Sequence, residues 1–149
     1  MVRVLVFALA LCFSGSALAM YSVSVLCLAL NVYHEASIDP YEGRAAVALV
    51  TKNRARKSGT SICWEVFRDQ QFTWTEDRKK RQALPRGKGW RAALLLAREV
   101  LRPGFEDFTG GATEYHLASM TAWWAPYMQY LGTWGSHKFY KKLDAAHAE

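Results

Sequence analysis

Apolar residues crowd the segment Val23 to Ala36, where Leu26, Leu28, Leu30, Val32 and Tyr33 fall on nearly every face of the helix that the stretch predicts. No Gly or Pro interrupts it, and Ser22 or Ser24 is available as its cap. A helix that is apolar all round belongs inside a fold, so this one is expected at the centre. Asp39-Pro40-Tyr41-Glu42 then reads as a second helix start, with Asp39 as N-cap, Pro40 at the first helical position and Glu42 three residues after the cap. That helix should run to about Arg56 and stop at Ser58-Gly59. Its small residues Ala45, Ala46 and Ala48 invite close approach by another helix, while Arg44, Lys52 and Arg56 are spaced as a solvated basic face.

Beyond Gly59 the pattern is less regular. Ile62 to Phe67 is apolar but too short to assign between helix and strand. Gln70 to Thr75 alternates polar with aromatic or β-branched residues, which predicts a short strand with Phe72 and Trp74 on one face. Glu76 to Gly89 is charged and carries Pro85, Gly87 and Gly89, the composition of a surface loop. Its Arg78-Lys79-Lys80-Arg81 cluster is either a polyanion contact or a solvated face. In the next segment Trp90, Ala93, Leu94, Ala97 and Leu101 recur at three and four, predicting a helix from Trp90 to Leu101 that Pro103-Gly104 ends.

Ala112 to Leu117 reads as a strand, and Leu131 with Gly132 to Ser136 as a turn. The turn leads into an alternating run, His137 to Tyr140, that could pair with the first strand. The chain from Lys141 onward reads as a frayed tail, and no internal repeat is present. The sum is α+β and mainly helical, with three or four helices and a small antiparallel sheet of short strands.

Composition adds the setting. At 149 residues the chain is one domain, and 51% hydrophobic residues exclude a disordered polymer. Residues 1–19 have the order of a secretory signal peptide: Arg3, an apolar run from Val4 to Phe13, then Ala17-Leu18-Ala19. That run is shorter than the roughly 20 residues that span a bilayer, so export to the periplasm or envelope is expected, and a retained N-terminal anchor is the competing reading. The formal net charge is +6, of which removal of the leader takes Arg3. A basic exported protein suits an anionic envelope better than nucleic acid, although modest charge also serves solubility alone. Cys12 lies in the leader, leaving Cys27 and Cys63 either as one disulfide or as two buried thiols. A retained N-terminus would make Cys12 a third partner for exchange.

Glu35 is the residue placed for chemistry. It ends the first apolar helix with Val32 and Asn31 on its face, and a carboxyl set against apolar neighbours holds its proton toward neutral pH, as a general acid for glycosidic cleavage must. By position alone it is equally a helix-end residue bridging to an Arg. Glu42, Glu65, Asp69, Glu76 and Asp77 are available as a second carboxylate, but no spacing selects one. His34-Glu35 lacks the second His of a metalloprotease helix, and neither Cys sits in a nucleophile motif.

The motifs converge in order. They run Cys27-Leu28-Ala29-Leu30-Asn31-Val32-Tyr33-His34-Glu35-Ala36, Glu42-Gly43, Asn53-Arg54, Ile62-Cys63, Gln71-Phe72-Thr73-Trp74-Thr75, Gly110-Gly111-Ala112-Thr113, Tyr115-His116, Trp124-Ala125 and Gly135-Ser136-His137-Lys138-Phe139-Tyr140. In this series the chain resembles the SleB-type cell wall hydrolases, named for spore-cortex-lytic enzymes and found in bacteria and their phages. The resemblance implies a lysozyme-like or lytic-transglycosylase-like catalytic domain over residues 20–142, followed by a tail at 143–149. Peptidoglycan glycan strands are the expected partner, a monomer without cofactor or metal is expected, and a phage endolysin or a bacterial wall-remodelling enzyme would look much the same.

By the same resemblance Glu35 is the acid, and Gln71, Phe72, Thr73, Tyr115 and His116 line the glycan cleft. Ser37-Ile38-Asp39 departs from the Arg-Gly-Glu common after the Glu-Ala pair, and Glu114 stands where an aromatic residue or His is usual. Rival readings are a muramidase, a peptidase or amidase using Cys27 or Cys63 with His116 or His137, and a non-catalytic envelope-binding protein.

Overall fold

The first helix, α1 (Val23–Ala36), begins where the Ser22 hydroxyl accepts a hydrogen bond from the Val25 amide. The computed structural model describes residues 22–143, so the expected leader, Cys12 within it, and residues 144–149 of the tail lie outside the described residues. Leu28, Ala29 and Val32 of α1 are completely buried, as a helix apolar on every face should be.

The second helix, α2 (Tyr41–Ser58), is just as central. Ala45, Ala48 and Leu49 face a helical core shared with α1. Ala46, Val47 and Val50 face a second core under the sheet. The basic face expected on α2 is solvated only at Arg56, since Arg44 and Lys52 are half-buried and the Lys52 ammonium donates to the Val100 carbonyl at 2.7 Å. Gly59 ends the helix in the left-handed conformation, its amide bonded to the Ala55 carbonyl.

Ile62–Phe67 forms a short helix, α3, capped by Ser61. A Cys27–Cys63 disulfide joins it to α1 across 36 residues, with the two Cα atoms 5.2 Å apart. The strand expected at residues 70–75 is absent. Phe72 is extended, and the chain then closes into a single 3-10 turn over Thr73–Glu76, tied by the Thr75 amide and hydroxyl to the Phe72 carbonyl. Phe72 and Trp74 are nonetheless both buried, because the turn drops both rings into the helical core. Within the charged loop, Asp77 accepts from the amides of Lys79 and Lys80 and starts the exposed helix α4 (Arg78–Gln82). The helix α5 (Lys88–Val100) packs Trp90, Ala93, Leu94 and Ala97 into the same core.

The sheet is antiparallel in the order β1 (Glu114–Leu117), β3 (His137–Lys142), β2 (Met128–Trp134). The expected pairing of the Ala112–Leu117 and His137–Tyr140 segments is present, with Tyr115 opposite Phe139. Two boundaries differ from expectation. Met128–Trp134 is a strand, and only Gly135-Ser136 turns; a bulge between Tyr130 and Gly132 breaks the alternation that would have marked it. Lys141 and Lys142 belong to β3 rather than to a frayed tail.

Asp39 also departs from expectation. Pro40 occupies the cap of α2, and the Asp39 carboxylate instead accepts from the Ser136 amide (3.2 Å), the Ser136 hydroxyl (3.1 Å) and His137 Nδ1 (3.1 Å). It therefore pins the turn between β2 and β3 to the start of α2. Gly43 makes this possible, since a Cβ there would stand 2.9 Å from the Gly135 Cα.

Candidate active site

Glu35 lies in the last turn of α1, and the residues around it are set by buried polar bonds. The Trp74 indole donates to Asn31 Oδ1 (3.0 Å), and the Asn31 amide donates to the Thr51 hydroxyl (3.1 Å), which locks the 3-10 turn to α1 and α2. His34 stacks on the Trp74 ring at 4.6 Å, and burial lowers its pKa. That anchoring carries Gln71-Phe72-Thr73 over the end of α1.

From the other side comes β1. The Tyr115 hydroxyl donates to Glu35 Oε2 at 2.9 Å, although the two residues are 80 positions apart. Arg54, on α2, forms the third wall. Its Nε donates to the Thr113 carbonyl (2.5 Å) and its Nη2 pairs with the Glu114 carboxylate (2.8 Å), while the guanidinium carbon lies 5.8 Å from the centre of the Phe72 ring. Asn53, one residue earlier, donates to Asp107 and to the Ala112 carbonyl and so holds the loop that delivers β1.

Glu35, Arg54, Gln71, Phe72, Thr73 and Tyr115 thus line one pocket of about 170 Å³. Within it, Glu35 is the one carboxylate. Burial raises its pKa, opposed by the hydrogen bond from Tyr115 and by the charges of His137 and Arg54. Its place at the negative end of the α1 dipole acts in the same direction as burial. Burial of the partly exposed Tyr115 and the carboxylate it faces push its own pKa far up, so its hydroxyl stays a donor.

His116 is not brought to the pocket. Alternation along β1 sends it to the outer face of the sheet, where it stacks on Tyr140 at 5.3 Å and meets the Trp124 ring at 5.5 Å. His137 does face inward, 5.0 Å from the Tyr115 ring, but it is buried against Asp39 and is not part of the Glu35 pocket lining. The two histidines sit on paired strands as expected, yet on opposite faces. Arg54 was present in the sequence only as half of an Asn-Arg motif. Its place on the opposite side of α2 from Lys52 and Arg56, two residues from each, was the signal that could have singled it out. With both sulfurs in the disulfide, neither Cys27 nor Cys63 offers a thiolate, which removes the cysteine peptidase reading.

Residues 38–140 match the family described as Cell Wall Hydrolase. The chain belongs to the cell wall hydrolase family. Arg54, Gln71, Phe72, Thr73 and Tyr115 of this cell wall hydrolase fall inside the matched stretch, and Glu35 stands three residues ahead of it.

Two solved structures share the fold. One is the catalytic domain of the germination-specific lytic transglycosylase SleB from Bacillus anthracis, at 27% identity and a TM-score of 0.64, covering 79% of this chain and 93% of that one. The other is the catalytic domain of the Bacillus cereus SleB protein, at 28% identity and a TM-score of 0.62, covering 81% and 92%. No curated protein matches the chain. Membership of an enzyme family sets aside the reading as a non-catalytic binding protein. Among the described residues of the cell wall hydrolase, no helix is long and apolar enough to cross a membrane, and no cluster of His, Cys, Asp and Glu could hold a metal ion.

Proposed function

We propose that this cell wall hydrolase cuts peptidoglycan glycan strands at the bond between N-acetylmuramic acid and N-acetylglucosamine, as a lytic transglycosylase whose single acid and base is Glu35. The observation that carries the reading is a lone carboxylate in its pocket, partly buried, with a raised pKa and a tyrosine hydroxyl fixing one oxygen. A retaining glycosidase that forms a covalent intermediate needs a second carboxylate about 5 Å away, and the pocket lining supplies none.

In the proposed reaction the protonated Glu35 gives its proton to the glycosidic oxygen as the bond from the muramic acid C1 breaks. Positive charge develops on that sugar, beside the carboxylate that has just become ionised. The sugar's own 6-hydroxyl then attacks C1 and returns its proton to Glu35. The products are an anhydromuramyl end and a free N-acetylglucosamine end, and the enzyme is restored. Gln71 and Thr73 provide amide and hydroxyl groups to the sugars, and Phe72 forms the apolar wall.

Zymography on purified sacculi tests the assignment: Glu35→Gln should fold normally and lose at least about a hundredfold in rate. Lysis by that variant at the wild-type rate defeats it. Mass spectrometry of the digest tests the acceptor, with anhydromuramyl ends expected. Reducing muramic acid ends alone would mean that water is the acceptor and that the enzyme is a muramidase.

A further inference from the structure

A second cavity, of about 250 Å³, lies beside the Glu35 pocket and shares its walls. Arg54 lines both. Thr113 and Glu114 face the second cavity and the next residue, Tyr115, faces the first. Arg68 lines the second and donates to the side chain of Gln71, which lines the first. Whatever lies in one cavity is therefore joined at three points to whatever lies in the other.

The second cavity is basic. Arg54 and Lys57 of α2, Arg68 at the end of α3 and Lys142 from the last strand converge on it. Its two carboxylates are already engaged. Glu65, almost fully buried, holds Arg68 at 2.9 Å, and Glu114 holds Arg54 at 2.8 Å. Lys57 and Lys142 are in no ion pair among the described residues. Arg54 Nη1 is buried and has no hydrogen-bond partner among the described residues. The exposed Trp64 ring, with the Arg68 guanidinium carbon 5.5 Å from its centre, gives the cavity one apolar side. Two cations outside any ion pair, beside two arginines and an apolar wall, suit a carboxylate carried on a short flexible chain.

We propose that this cavity binds a free carboxylate of the peptide stem attached to the muramic acid, so that the enzyme recognises stem-bearing glycan over bare glycan. The inference rests on the glycan-cleaving reading of the Glu35 pocket, since that reading puts a muramic acid next door. The occupant follows from charge: in peptidoglycan the sugars flanking the cut are neutral once the lactyl group is amidated, and the stem supplies the anions. Arg54, at the shared wall, would then couple stem binding to the position of the sugar above Glu35.

The test uses soluble glycan strands in two matched forms, with stems intact and with stems removed by an amidase and the lactyl carboxylates so exposed then capped as methylamides. Initial rates of glycan cleavage should favour the stem-bearing form by about tenfold in wild type. That ratio should fall toward one in Lys57→Gln/Lys142→Gln and stay at the wild-type value in Lys79→Gln, on α4 outside the cavity. Equal rates on the two forms in wild type, or an unchanged ratio in the double variant, overturn the proposal.

Calorimetry separates this from failure of the glycan reading itself. Glu35→Gln is titrated with the free stem tetrapeptide and with the same peptide amidated at its carboxyl groups. Binding of the free form that weakens with salt and is absent for the amidated form supports the cavity even if no glycan is cut. Equal or no binding of both forms overturns it.

Discussion

Tyr115 donates a hydrogen bond to a carboxylate that burial is pushing toward its protonated form, and the two effects oppose each other at Glu35. Removing the hydroxyl removes the largest of the effects that favour the ionised form. In Tyr115→Phe the pKa of Glu35 should therefore rise further, and the limb on which activity falls with increasing pH should move to higher pH. The rate at the optimum should drop about tenfold, because the carboxylate is no longer held in place. A pH–rate profile of variant and wild type checks both. Stability has its own signature at this residue. A carboxyl whose folded pKa is raised carries no penalty below its unfolded pKa, and the folded state loses stability as pH climbs from there through the raised value. Glu35→Gln cannot ionise, so its melting temperature relative to wild type should increase from acid toward neutral pH. A pH-independent difference would mean that burial does not perturb this group.

At the scale of elements, the contact that matters most joins the start of α2 to the turn between β2 and β3. Asp39→Ala removes three hydrogen bonds there and leaves His137 buried without its carboxylate partner. A loss of about 3 kcal/mol is expected, read as a lower denaturant midpoint at unchanged slope. Gly135→Ala should be destabilising as well, since φ is +59° and the new methyl would meet Asp39 Oδ2 at 2.8 Å. This contact also marks the limit of what the sequence disclosed. The helices were legible because α1 and α5 carry their periodicity locally, and Gly59 and Pro103 punctuate it. Asp39 sits in an ideal local frame for a cap, yet its partners lie 97 and 98 positions away, and no local rule can weigh them. The alternation in Gln70 to Thr75 misled for a related reason: both rings are buried, but by a turn rather than by a pleat. Tyr115 and His116 were equally eligible for the cleft until strand pairing fixed which of them faces inward.

For the whole molecule, the Cys27–Cys63 bridge is the one covalent constraint among the described residues. Closing a loop over a sequence separation of 36 is worth up to about 4 kcal/mol by chain entropy. Denaturation with and without reductant should show a loss of that order. Reduced enzyme assayed at low temperature should still cleave, because Cys27 lies eight residues, about 12 Å along the helix, from Glu35. Inactivation without unfolding would point to a role for a sulfur beyond the fold. The order of the sheet has a different consequence. β3 is the middle strand and the last to be made, so β1 and β2 have no neighbour to pair with until the final strand of the sheet leaves the ribosome. Tyr115 is therefore aimed at Glu35 by the strand made last. A chain ended before β3 would hold every residue of the pocket and is expected to leave sacculi uncut, which zymography of the truncated protein checks.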